Sequence, residues 1–179
     1  MLALGPLRAD LVETYWRWEN DPVVMIGYGR QVPESLEARR AGLEQQLHGD
    51  QAHFTVYDLV GPEPRPVGLT SLSIDHAGRT AELFICLGAE GRGRGIAVEA
   101  TRLTLDYGFH VTGLRSIHLT VLAPNEAGIR AYQKAGFRLI GRRRNSGMWA
   151  GAICDEVLMD AIPGDLTGPS VVRDLIAGR

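Results

Sequence analysis

Three features of the chain predict an α/β fold. Three strand-like runs follow one another with only turns between them, the apolar period changes at Gly95 from that of strands to that of a helix, and the second half alternates strand, helix, strand, helix. Hydrophobic residues fill 45% of the 179 positions. That is enough to enclose one ordinary core, so one domain is expected over residues 1–162, with residues 163–179 as an appended tail.

Taken in order, "LRADLVETYWRWENDP" reads as a helix entered at Asp10, with Leu11, Tyr15 and Trp18 at helical spacing and a stop at Asn20-Asp21-Pro22. "PESLEARRAGLEQQLHGD" is a second helix, begun after Pro33 and closed by Gly49. The runs "HFTVYDLV", "VGLTSLSI" and "TAELFICL" are separated by the turn segments "GPEPRP" and "DHAGR", which makes an antiparallel meander. From Gly95 onward, Ile96, Ala100, Leu103 and Tyr107 lay one apolar stripe along an amphipathic helix. "SIHLTVL" is then a strand, and "NEAGIRAYQKAG" a short helix with Asn125 as N-cap and Gly136 just past its end. "FRLIGRRR" and "AICDEVLMD" form a closing pair of strands. The Gly- and Pro-rich start of the last stretch marks it as a tail, with one helical turn near its end.

Composition excludes several function classes. A formal net charge of −2 argues against a nucleic-acid partner, which calls for a basic excess to displace counterions. Arg142 to Arg144 form a charge run without interleaved aromatics and read as a solvated strand end. Cys86 and Cys154 lack CxxC or CxxH spacing, and the histidines show no i,i+4 pair, so no metal site is expected. Nor does any apolar run approach the roughly 20 residues of a membrane span. With no leader at "MLALGPLRAD", the expected location is the cytoplasm, away from membranes.

Residues 88–101, "GAEGRGRGIAVEAT", carry the main chemical signal. Gly91, Gly93 and Gly95 leave backbone N–H groups uncovered and permit positive φ, and a helix follows at once. A nest of donors at a helix N-terminus, flanked by Arg92 and Arg94, suits a phosphate or diphosphate. Glycine richness alone equally fits a surface turn. Two better-known phosphate loops fail on register: a dinucleotide fingerprint would need glycine at position 96 or 98, where Ile96 and Val98 stand, and Gly-Lys-Ser/Thr is absent.

The form Arg-x-x-Gly-x-Ala, at Arg92, Gly95 and Ala97, resembles the acyl-coenzyme A loop of the GCN5-related N-acetyltransferase (GNAT) superfamily. The likeness covers "AELFICLGAEGRGRGIAVEATRLTLDYGF" and "NEAGIRAYQKAGF" and extends loosely from Leu7 to Asp160. It is strongest to the branch holding ribosomal-protein N-terminal acetyltransferases and spermidine acetyltransferase. The resemblance implies a mixed, mostly antiparallel sheet of about seven strands with a splay, flanked by about four helices. It further implies an acyl-CoA-dependent N-acetyltransferase with acetyl-CoA as co-substrate. A non-catalytic acyl-CoA-binding or partner-binding domain of the same fold is the alternative.

On that resemblance, a diphosphate sits on the backbone of Arg92, Gly93, Arg94, Gly95, Ile96 and Ala97. The pantetheine arm pairs like an extra strand with Ile85, Cys86 and Leu87, and the amide near Cys86 or Leu87 faces the thioester oxygen. Tyr132, which spacing alone would place in the core, is implied to protonate the leaving sulfur. Asn125 is implied to bond the pantetheine arm as well as cap its helix, and Lys134 to approach a phosphate. Glu82, an acid within an apolar strand, is either a solvent-facing edge residue or the base that draws a proton from the ammonium, directly or through water.

The acceptor site falls to the first half, where Trp16, Trp18 and Tyr28 are candidates to line a cleft. Spermidine acetyltransferases carry a glutamate pair in this loop that binds polyamine. This sequence instead shows Arg30 and Gln31 nearby, which argues against a polyamine. The expected acceptor is a primary amine, either a peptide or protein N-terminus or a small molecule such as an antibiotic. An edge strand in the C-terminal half, or the tail, offers a route to a homodimer.

Overall fold

The computed structural model describes residues 1–178, apart from the side chain of residue 176. Its strands are β1 (Leu2–Pro6), β2 (Ala52–Asp58), β3 (Arg65–Asp75), β4 (Thr80–Leu87), β5 (Ser116–Leu122), β6 (Arg138–Trp149) and β7 (Ala152–Ala161). They form one seven-stranded sheet in the order β1-β2-β3-β4-β5-β7-β6. All neighbours are antiparallel except β4 and β5, which run parallel. The expected α/β architecture is the one observed, including the count of strands. β1 fills the seventh place from "LALGP", a stretch too short and too glycine- and proline-broken to declare itself.

The helices are α1 (Val12–Glu19), α2 (Pro22–Gly27), α3 (Leu36–His48), α4 (Ile96–His110), α5 (Glu126–Ala135) and α6 (Val171–Ala177). Helix α2 was not expected. Asn20-Asp21-Pro22 does end α1, but Asp21 then caps the next helix, its carboxylate accepting from Val23 N–H at 2.8 Å, with Pro22 in the first helical position. Ser35 caps α3 and Asn125 caps α5 through the same kind of bond, to Ala38 and Gly128.

Alternation along β4 divides the core. Ala81, Leu83, Ile85 and Leu87 face α4, while Cys86 packs with Tyr15, Trp18, Val24 and Leu43 from α1, α2 and α3. Each face of the sheet therefore has its own helical layer.

The expected separate tail is instead part of the domain. Leu166 lies in the α4 core, and Ser170 is 2% exposed. Asp106 on α4 holds this segment: its carboxylate accepts from the Ser170 hydroxyl at 2.5 Å, Val172 N–H at 3.1 Å and the His110 ring at 2.7 Å. Burial alone would raise the Asp106 pKa; bonds from Ser170, Val172 and His110 outweigh it and hold it below the usual carboxylate value. Stability from this group is present above the ordinary carboxylate pKa and is lost as pH falls through the depressed one. Asp106→Ala should cost about 2–3 kcal/mol in urea unfolding, since it leaves buried donors unpaired. It should also open the chain after residue 162 to proteolysis; a variant as resistant as the parent would show that Asp106 does not hold the tail.

Candidate active site

The site begins where β4 and β5 part. Their parallel pairing covers only Thr80–Glu82 against Ser116–His118, and β5 continues against β7 as far as Leu122. Beyond Glu82, β4 thus has a free edge in the middle of the sheet. Ile85 shows which groups face it: the Tyr28 hydroxyl donates to Ile85 C=O at 2.5 Å and accepts from Ile85 N–H at 3.1 Å. By antiparallel alternation Leu87 turns its backbone to the same edge, whereas Cys86, in register with Leu69, turns its own into the β3 ladder. This corrects the expectation for Cys86. Its backbone is already committed, and the edge belongs to Ile85 and Leu87.

The splay holds a cavity of about 140 Å³ lined by Tyr28, Ile85, Leu87, Arg92, Asn125 and Tyr132, among others. The Tyr132 phenol has no hydrogen-bond partner among the described residues, and its ring meets Phe137 edge-on with centroids 6.0 Å apart. Burial pushes its pKa up to about 12. Such a phenol keeps its proton throughout the neutral range. Asn125 caps α5 and reaches the same cavity, so the residues the sequence singled out there do converge.

At the mouth of the splay, Gly93 and Gly95 adopt φ of 72° and 75°, the left-handed region that favours glycine, and Gly95 caps α4. Among the described residues no protein acceptor meets the N–H groups of Gly93, Arg94, Gly95, Ile96 or Ala97, while the Gly95 carbonyl accepts from Val98. Consecutive free donors at a helix N-terminus fit a diphosphate. The arginines behave otherwise than expected. Arg92 pairs with Asp21 at 3.0 Å and donates from Nε to Leu87 C=O at 3.1 Å; Arg94 pairs with Asp58 at 2.7 Å. Their charges are neutralised in place, so the field of the seat comes from peptide dipoles and the helix end. Lys134 is exposed on α5 and lines neither cavity described here.

A second cavity, of about 330 Å³, lies on the opposite face under α1, α2 and α3. Its floor is a row of residues paired across three strands, His53, Ser71 and Phe84, with Leu69 and Cys86 in the next row. Its walls bring Glu19, Tyr28, Arg30 and Arg39. Tyr28, Ile85, Cys86 and Val24 line both cavities, so the two spaces meet at the β4 edge. Glu82 shares this face but lies one row past the floor, paired with Ser73 and His118. It is outside the lining.

Glu19 and Arg39 form a buried pair at 2.5 Å, with Arg39 also bonded to Gln46 and set 5.7 Å from the Tyr15 ring centroid. Burial raises the Glu19 pKa, with Arg39 opposing it. Burial, aided by Arg39, lowers that of His53, leaving a neutral imidazole at pH 7. The Cys86 thiol is pushed up to about 12, chiefly by burial. Sequence reasoning gave Glu19 only as one of several scattered acidic candidates, read His53 as a surface or core residue and missed Arg39, because nothing in their spacing marks them. Of the aromatics it proposed, only Tyr28 lines the cavity: Trp18 is core, its indole bonded to Glu90, and Trp16 donates to Glu34 C=O.

Comparison with known proteins agrees with this geometry. The acetyltransferase (GNAT) domain model matches residues 2–138. Spermidine N(1)-acetyltransferase of Escherichia coli K12 is 30% identical over 139 residues, covering 77% of this chain and 73% of that protein. Probable N-acetyltransferase YjcK of Bacillus subtilis is 32% identical over 123 residues, covering 65% and 67%. The crystal structure of spermidine N-acetyltransferase from Vibrio cholerae with CoA and spermine superposes with a TM-score of 0.83 at 23% identity, over 92% of this chain and 97% of that one. With a matching fold, loop and splay, the chain belongs to the GNAT acetyltransferase family.

Proposed function

We propose that the protein moves an acetyl group from acetyl-CoA to the primary amine of a small molecule by direct attack, with both substrates bound. One observation carries this reading: two cavities on opposite faces meet at the Ile85 edge, one equipped for a diphosphate and an extended amide arm, the other for a separate ligand. Family membership supports acetyl-CoA as donor, and the relatives named for spermidine support a small amine over a protein N-terminus.

Each residue then has a task. The free amides from Gly93 to Ala97 hold the diphosphate, and the Ile85 and Leu87 edge takes the amide arm once Tyr28 gives way. Ile85 N–H, released by Tyr28, can polarise the thioester oxygen. His53 is neutral and lines the acceptor cavity, so it accepts the proton an ammonium must lose before its nitrogen can attack; Glu82 acts at most through water. As the C–S bond breaks, Tyr132 gives its phenolic proton to the departing sulfur and regains one from the nitrogen that has formed the new C–N bond. A covalent acyl-enzyme is disfavoured, since the one thiol at the junction, Cys86, stays protonated at neutral pH.

Release of free thiol from acetyl-CoA across a panel of amines tests the reading; tight CoA binding with no thiol released by any amine would overturn it. Tyr132→Phe should lower kcat by about 100-fold. Because the hydroxyl has no protein partner, CoA affinity and stability should hold. His53→Gln should remove an acidic limb in kcat/KM that lies below the ordinary histidine pKa of about 6.5, since protonation abolishes the base. If Glu82→Gln removes that limb and His53→Gln does not, the role belongs to Glu82. Tyr28→Phe should tighten CoA binding about 5-fold by calorimetry, because the donor no longer displaces a hydroxyl from Ile85; this corresponds to about one net hydrogen bond.

A further inference from the structure

The charges lining the acceptor cavity do not balance. Glu19 and Arg39 cancel one another at 2.5 Å, and Arg39 uses Nη1 on Gln46. Arg30 is different. Among the described residues its guanidinium makes one hydrogen bond, a long one of 3.5 Å from Nη1 to the backbone oxygen of Glu19, and no ion pair with a carboxylate. Arg39, Arg92 and Arg94, the other guanidinium groups around the two cavities, each have one. Glu34 acts on Glu19 through space but is not part of the lining. Among the lining side chains two guanidinium groups, Arg30 and Arg39, thus face one carboxylate, Glu19, on which both act, and the walls carry one half-buried positive charge in excess.

We propose that Arg30 selects the acceptor, and that the acceptor is a small amine carrying a carboxylate, with its amine at the Ile85 junction and its carboxylate on the Arg30 guanidinium. This rests on the transferase reading above. A guanidinium with free donors offers a carboxylate a two-pronged, charge-assisted pair in a partly desolvated wall. A second ammonium in the same place would meet like charge, so polyamines are poor acceptors. The cavity, about 330 Å³, is at the small end of ligand pockets and suits an amino-acid-sized molecule.

Matched acceptors separate the possibilities. Linear primary amines of four and of six carbons, ending in carboxylate, methyl or ammonium, would be compared by kcat/KM, with spermidine alongside. The carboxylate member should exceed the methyl member by about tenfold, the worth of one charge-assisted bond, with the difference in KM, and should exceed the diamine by more. Arg30→Gln should erase the preference, Arg30→Lys keep part of it, and Arg30→Glu reverse it toward the diamine. CoA affinity should be unchanged in all three, since Arg30 does not line the donor splay. A parent enzyme that favours spermidine or the diamines, or a carboxylate preference surviving in Arg30→Gln, overturns the role of Arg30 and leaves the transferase reading intact. No thiol release with any amine overturns both.

Discussion

The parting of β4 from β5 after Glu82 and His118 governs the rest of the molecule. A sheet that stops pairing in its interior leaves backbone donors and acceptors that must find other partners, because buried peptide groups without them cost free energy. Here Tyr28, just past the end of α2, supplies both bonds at Ile85. A hydroxyl that donates and accepts at once has the same hydrogen-bonding capacity as a secondary amide. The contact Tyr28 makes at this edge thus has the form of the contact an extended amide ligand would make.

The phosphate-type loop and the acceptor-side helices are tied together by polar contacts. Trp18 donates to Glu90 at 2.9 Å, Asp21 pairs with Arg92 at 3.0 Å, and Arg92 in turn holds the Leu87 carbonyl. Asp21 also caps α2, the helix that leads into Tyr28. One carboxylate therefore sets both the start of that helix and the orientation of an arginine in the splay. Partly exposed pairs of this kind contribute little to stability, so their consequence is positional. They fix where the glycine loop lies relative to α1 and α2.

Burial then assigns protonation states. The Tyr132 phenol and the Cys86 thiol are both pushed to about 12, so both keep their protons at neutral pH. His53 moves the opposite way, because burial penalises whichever form is charged. Three groups with different ordinary pKa values end up neutral around one junction. That is an environment in which a neutral amine, the form able to attack, is favoured over its ammonium.

What the sequence determined by itself was local. The cap at Asn125, the apolar stripe of α4, the meander of strands and the glycine loop all follow from interactions within a few residues, and each appears where the spacing placed it. Asn125 and Tyr132 were legible for the same reason, standing on one short helix. Tertiary structure decided the rest. Arg92 and Arg94 looked like free cations, yet their partners Asp21 and Asp58 come from distant segments. Glu82 falls one row short of the cavity floor along β4, a placement that no local pattern encodes. Tyr28 meets Ile85 across 57 positions, and His53, Glu19, Arg30 and Arg39 share a cavity only because separate strands and helices stack. Local bonding is written in neighbouring residue types, whereas which distant groups meet depends on how whole elements pack.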